Sequence, residues 1–377
     1  MKNENILITG GFGFVGSHLC KALLSSGYKI RVLDNLIEQV HGKNPLKNIS
    51  SELVKNVEFI NGDIRNPDLL EEALRGVSMI FHYASRVGVS QSMYEIKDYT
   101  DVNVLGTANL FSLIIKNKLE LKKLIIASSM TVYGEGDCKC NACGEFSPEF
   151  RSEQQLLKRD WEIKCPKCNK NSIPIPSCED KKLNPSTIYA ITKRDQEEMA
   201  LCIGKAYNIP TTVFRFFNIY GPGQSLSNPY TGVLAIFASR ILNGNPPVIY
   251  EDGLQSRDFI HVDDVVSANL LALESSNSDY EIFNVGSGKP TSIRGISDLL
   301  AKKLMFKDEP VILNKFRKGD IRHCIADISK IRKKINFDPK RKLEDEIDNI
   351  VTWIKSQKAV DMLDKACNEL EKHGLTK

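Results

Sequence analysis

The sequence predicts an α/β fold: a doubly wound parallel sheet, a smaller second α/β unit and a cysteine-rich insertion. Three observations predict it. Short apolar runs alternate with amphipathic segments from Ile6 to Ala127, the pattern of repeated strand–helix–strand units. The first run opens directly into a glycine-rich turn. Two Cys-x-x-Cys pairs then interrupt the alternation between about 135 and 180.

Composition narrows the function classes. The chain has 377 residues, 42% hydrophobic and 26% charged, which suits a soluble protein of two interleaved domains. The net charge of +4 is small and no basic block stands out, so neither nucleic acid nor membrane is expected as a partner. No apolar run approaches the roughly 20 residues needed to span a bilayer, and Met1 to Asn5 lead into a strand rather than a signal peptide. A cytoplasmic location is expected, where ten cysteines point to metal before disulfides.

Ile6-Leu7-Ile8 runs into Thr9-Gly10-Gly11-Phe12-Gly13-Phe14-Val15-Gly16. The helix that follows places Val15, Leu19, Ala22 and Leu23 on one face, and Gly27 suits its end. A second strand, 29–33, ends at Asp34-Asn35. Strand, glycine turn, helix, strand, acid is the order a Rossmann-type dinucleotide site requires. Glycines let the backbone approach a pyrophosphate, and the helix N-terminus supplies amide donors. Asp34 can take ribose hydroxyls and repel a 2′-phosphate, which favours NAD over NADP. The competing explanation, a tight turn packed on a helix, does not account for the acid.

Strands are expected at 57–60, 79–82 and 124–127, with a helix from 101 to about 116. The last strand leads into Ser128-Ser129-Met130-Thr131-Val132-Tyr133-Gly134. Tyr189 and Lys193 lie four apart on a helical segment and so share a face. A phenol has an unperturbed pKa of ~10. A neighbouring ammonium favours the phenolate, which makes the pair a workable proton acceptor, with Ser129 sharing the reacting oxygen. Tyr-x3-Lys alone would be a surface helix; following a dinucleotide turn and a strand ending in Ser-Ser, it reads as catalytic.

The spacing Gly10-x2-Gly13-x2-Gly16, together with these residues, resembles the extended short-chain dehydrogenase/reductases that act on nucleotide sugars. The resemblance covers residues 1 to about 355. It implies Tyr189, Lys193 and Ser129 as base, lysine and serine. It implies an NAD site including Gly10, Gly13, Phe14, Val15, Gly16, Asp34, Asn35, Asp63, Ile64, Ala84, Asn103, Ser128 and Phe217, with Asp63 and Ile64 flanking adenine. Within that site Asn103 would hold a catalytic-site water or backbone; taken alone, it reads equally well as a helix cap. Thr131 and Asn218 would meet substrate. Arg257, in Ser256-Arg257-Asp258-Phe259-Ile260-His261, and Arg317 with Asp320 would take phosphate and ribose. Relatives that dehydrate or decarboxylate carry acids where this chain has Met130-Thr131, so 4-epimerisation is the expected outcome. Gly221 to Gly232, with the cysteine insertion, brings the dTDP-L-rhamnose 4-epimerase type nearest. The family implies a nucleotide-diphosphate sugar substrate and a homodimer built on the helices carrying Asn103 and Tyr189.

Cys140-x2-Cys143 and Cys165-x2-Cys168 stand 21 residues apart. Two such pairs supply four thiolates for Zn²⁺ in a zinc-ribbon-like knot, and with every position filled by protein the metal would be structural. Scattered free cysteines are the alternative. A nucleic-acid ribbon would be more basic than a segment holding Glu145, Glu149, Glu153, Asp160 and Glu162. His261 with Asp263 and Asp264 reads as a strand-to-helix turn rather than a metal set. The expected domains are 1–217 plus about 255–275 for NAD, interrupted at about 135–180, then 218–254 plus about 276–355 for the nucleotide sugar. A helical tail, 356–377, is expected to pack without chemistry.

Overall fold

A computed structural model describes residues 4–377, except the side chains at 47 and 48. Residues 1–3, read above as the lead into the first strand, lie outside that description.

Seven parallel strands form the main sheet. They are β1 (Asn5–Thr9), β2 (Lys29–Asp34), β3 (Glu58–Asn61), β4 (Met79–His82), β5 (Lys123–Ser129), β6 (Thr211–Phe216) and β7 (Glu281–Val285). Their order across the sheet is β7-β6-β5-β4-β1-β2-β3. Central strands are buried on both faces and therefore read as continuous apolar runs, as in 124–127. One face is covered by α1 (Phe14–Ser25), whose Leu19 and Leu23 share a core with Val265 and Ala268 of a later helix. The other is covered by α2 (Gly106–Lys116) and α3 (Ile188–Ala206), through Leu110, Ile114 and Ala200. That later helix, α4 (Val262–Glu274), crosses back from the second unit to pack on α1. Strand order reverses between β1 and β4, so the crevice at their carboxyl ends is where this topology binds ligands.

The second unit pairs Asn218–Tyr220 with Ser256–His261, which pairs in turn with Pro290–Ser292 and His323–Cys324. Helices Val233–Leu242, Ile293–Leu304 and Leu343–Lys355 close a core of Phe237, Ile296, Leu300, Ile347 and Ile350 beside it. Two expected boundaries are corrected. The strand 281–285, placed above in the second domain, completes the main sheet beside β6. The strand 256–261, placed in the first, belongs to the second sheet. Hydrophobic periodicity marks a strand but not the sheet it joins, because that depends on a partner distant in sequence.

The helix expected at 101–116 begins earlier, at Ile96–Tyr99, and passes through a π-helical turn at Thr100–Leu105 before α2. Asn103 sits in that turn and is fully buried. It is therefore not a cap. His261 does cap α4, accepting from the amide of Asp263 (3.2 Å).

The insertion folds as three short antiparallel strands, Cys138–Cys140, Gly144–Phe146 and Ile173–Pro174. The helix Glu153–Leu157 brings Leu156 against Trp161 and Phe316.

Candidate active site

A cavity of about 1870 Å³ opens at the carboxyl ends of the central strands. Its walls include Gly10, Gly13, Phe14, Val15, Gly16, Asp34, Asn35, Asp63, Ile64, Ala84, Ser128, Ser129, Tyr189, Lys193, Phe217 and Asn218. The fold thus brings together residues that the sequence scatters over more than 200 positions.

The glycine turn is built for close approach. Gly10 has φ +70°, and a Cβ there would lie 2.8 Å from the Ala84 amide nitrogen. A Cβ on Gly16 would lie 2.4 Å from the Gly10 carbonyl oxygen, so any side chain would push the turn off the helix. No side chain caps α1, which leaves its first-turn amides for an anion. Asp34 ends β2 with one oxygen accepting from the Phe12 amide (3.0 Å) and the other from the Leu36 amide (2.9 Å). The acid thus braces the turn as well as facing the cavity. Asp63 accepts from Asn35 Nδ2 (2.9 Å) and from Arg65. Burial pushes the Asp63 carboxyl up, but Arg65 and Asn35 outweigh it and hold it at about 2. These donors, the turn and the acid fit a dinucleotide of the NAD type.

Tyr189 lies in the first turn of α3, whose N-cap is Thr187, and its own amide donates to Ser92 Oγ (3.0 Å). The Tyr99 ring meets the Tyr189 ring edge-on at 6.5 Å. Burial drives the phenol up to about 12, partly offset by a hydrogen bond with Ser129. Burial drives Lys193 down to about 7. Its Nζ donates to the Ala127 carbonyl (2.8 Å) and to Gln196 Oε1 (2.9 Å). Gln196 in turn donates to Thr107 (2.7 Å). Sequence reasoning missed Gln196; its position one helical turn beyond Lys193 was the available signal. Ser92 carried none.

Five expected site residues do not line the cavity. Asn103 accepts from the Arg86 amide (2.7 Å) and donates to Thr192 Oγ1 (2.9 Å), fixing the loop after β4 to α3. It thus holds backbone rather than facing a ligand. The Thr131 hydroxyl donates to Ser129 Oγ (3.0 Å), so it meets the site through Ser129. Arg257 donates to the carbonyls of Ser256 (2.9 Å) and Arg322 (3.0 Å). Arg317 lies 4.6 Å from the Tyr250 ring centre and donates to Asp320 Oδ2 (2.8 Å). Asn218 does face the cavity, and its Oδ1 is buried without a protein partner.

The tail departs from expectation. Met362, Lys365, Ala366 and Glu369 line the cavity, the last three on α5 (Leu363–Lys372). The Cys367 thiol meets the Tyr250 hydroxyl (3.4 Å), and His373 stacks on Tyr94 at 4.6 Å. The tail is a wall of the site, contacting both units. Its helical periodicity was legible; what it packs against was not.

In the insertion, the sulfurs of Cys140, Cys143, Cys165 and Cys168 all lie within 4.8 Å of one another. Cys138 and Cys178 stay outside this group, and no disulfide forms among the described residues.

A dinucleotide cradle and a Ser–Tyr–Lys group in one cavity define a doubly wound nucleotide-dependent enzyme. A profile of the NAD dependent epimerase/dehydratase family matches residues 6–151 and 166–286. The chain belongs to that family. It is 31% identical over 357 residues to a dTDP-L-rhamnose 4-epimerase of Burkholderia thailandensis, covering 94% of this chain and 96% of that one. A solved UDP-N-acetylglucosamine 4-epimerase of Methanobrevibacter ruminantium matches at 32% identity and TM-score 0.74, covering 95% and 100%. A UDP-glucuronic acid 4-epimerase of Bacillus cereus, solved with UDP-glucuronic acid and NAD, matches at 27% and TM-score 0.76, covering 93% and 99%. Among the described residues no helix is long and apolar enough to cross a membrane.

Proposed function

We propose that the chain is an NAD-dependent nucleotide-sugar 4-epimerase acting on dTDP-L-rhamnose or a related dTDP- or UDP-hexose. The observation that carries this is the convergence of Ser129, Tyr189 and Lys193 in the cavity that also holds the glycine turn. NAD, when bound, supplies a reversible acceptor for hydride from the sugar's C4. Tyr189 takes the proton of the C4 hydroxyl and later returns it. Ser129 hydrogen-bonds the same oxygen, and its bond to Tyr189 relays the two groups onto one atom. Lys193 spends two of its three donors on Ala127 and Gln196, leaving one for the ribose beside the nicotinamide and its charge for the phenolate. Asn218, with its unpartnered Oδ1, holds the nucleotide from the cavity wall while the 4-keto sugar turns over; Arg257, Arg317 and Asp320, which stand outside that wall, are assigned to its diphosphate and ribose by the family resemblance. Positions 130 and 131 offer no acid to expel water or assist loss of CO₂, which favours epimerisation over dehydration and decarboxylation.

Incubation with a panel of UDP-, dTDP- and GDP-sugars in deuterated water, read by NMR, tests the reaction. A C4 epimer without carbon-bound deuterium and without net NADH is expected. Deuterium at C3 or C5, released CO₂ or lost water would sink this reading.

The four thiols take structural Zn²⁺ in a zinc-ribbon-like knot. A tetrahedral site with Zn–S of about 2.3 Å spaces its sulfurs by about 3.8 Å, inside the 4.8 Å spread here. The chain forms a homodimer through the helical segments carrying Asn103 and Tyr189, where Ile96 (51% exposed), Leu105 (50%) and Ile191 (41%) stand apolar at the surface. Leu105→Asp with Ile191→Asp is expected to convert dimer to monomer by mass photometry. An unchanged mass distribution would place the interface elsewhere.

A further inference from the structure

We propose that Glu135, Arg151 and Glu162 are positioning residues for the nucleotide-diphosphate site, acting through the loop 320–323. This rests on the function proposed above, and assigns to the insertion the task of setting where Arg257 and Asp320 stand.

The loop is held from two sides. On the insertion side, Glu135 Oε2 accepts from the amides of Arg322 (2.7 Å) and His323 (3.4 Å). The Gly136 amide donates to the His323 carbonyl (2.7 Å), and a Cβ on Gly136 would lie 2.7 Å from that oxygen. Arg151 donates to the Asp320 carbonyl (3.3 Å) and to Glu251 (2.9 Å). Glu162 accepts from Arg322 Nε (3.2 Å). It also bonds Nε2 of His323 (3.2 Å), whose Nδ1 accepts from the Ser256 amide (3.2 Å). On the opposite side the carbonyls of Ile321 and Arg322 receive the Arg257 guanidinium, and the Asp320 carboxylate holds Arg317. The two substrate arginines are thus aimed by a loop whose backbone the insertion grips.

The charges involved are out of water: Arg322 is fully buried, and the Arg151, Glu135 and Glu251 side chains are 3%, 1% and 4% exposed. Buried ion networks add little net stability over an apolar core, and what they supply best is a single geometry. Here nearly every bond in the network ends on the loop 320–323 or on Glu251 and Asp252, which follow Tyr250. A scaffold whose only task was to seal the insertion would not need its carboxylates on those backbone amides. Groups that orient a binding arginine act on ligand affinity, because a displacement of about 1 Å is enough to lose strong contacts.

Glu162→Gln is the mildest probe, since that side chain is 32% exposed and glutamine keeps its size and one acceptor oxygen. The expected result is a KM for the nucleotide sugar raised about tenfold, with kcat within about twofold and NAD content unchanged. Affinity for free UDP or dTDP, measured by calorimetry, should fall by the same factor. In an Arg257→Gln background the same change should weaken nucleotide binding by less than about twofold, because its effect passes through Arg257. Unchanged affinity in the single variant, or an equal loss in both backgrounds, overturns the positioning role. Wild-type protein that binds neither UDP nor dTDP overturns both this role and the function beneath it; wild-type binding with an unaffected variant overturns this role alone.

Discussion

Tyr189→Phe is expected to lower turnover about a thousandfold, the middle of the range for losing a positioned general base. The change removes one oxygen and keeps the ring, so the edge-on contact with Tyr99 and the start of α3 persist. Bound NAD content and thermal unfolding should therefore match the wild type. The separation is what makes the result informative: chemistry is lost while the cavity stands. Burial raises the phenol to about 12, so the free chain holds Tyr189 protonated at neutral pH. Its use as a base depends on positive charge arriving beside it, from Lys193 when protonated and from the oxidised cofactor. Near-full turnover by the Phe variant would remove Tyr189 from the mechanism.

Cys165→Ser is expected to take bound zinc from about one ion per chain to almost none, measured by elemental analysis of the purified protein. The consequence for the insertion is large, because structural zinc contributes on the order of 10–16 kcal/mol of apparent binding free energy in small zinc folds. Besides the buried Arg151–Glu135 pair, the segment's own apolar cluster is only Leu156 and Trp161 against Phe316. Protease cleavage between 138 and 170 and a changed Trp161 emission should follow, while the main sheet stays folded on its separate cores. Full zinc content in the variant, or an insertion still resistant to protease without zinc, would count against the metal knot.

The elements of the main sheet were legible because each is coded locally. Residues 79–82 coincide with the observed Met79–His82 and 29–33 with Lys29–Asp34, since apolar period and flanking turn residues set such limits within a few positions. The glycine turn, Asp34, the Tyr189/Lys193 pair and the cysteine pairs were legible for a similar reason: short-range spacing dictates which side chains share a turn or a helix face. The hold of Asn103 on backbone was legible through the resemblance, but Arg86 as its partner was not, because the π-helical turn that aims it there has no sequence signature of its own. The arginines 257 and 317 were found by their order along the chain, yet their carbonyl and ring partners come from Ile321, Arg322 and Tyr250.

By itself the sequence determined a doubly wound sheet, a dinucleotide turn, a Ser–Tyr–Lys group and a four-thiol set. Each is assembled from motifs that are local in sequence (a turn, a strand end, a helix face, a Cys-x-x-Cys pair) or from the regular alternation of elements. Tertiary structure alone decided that β7 completes the main sheet, that the tail walls the cavity, and that the insertion grips the loop 320–323. Those contacts join residues from about 70 to about 280 positions apart, as between Glu135 and Arg322 or Tyr94 and His373. Local propensity carries no information about such a partner; burial and hydrogen-bond satisfaction select it only once the chain has closed on itself.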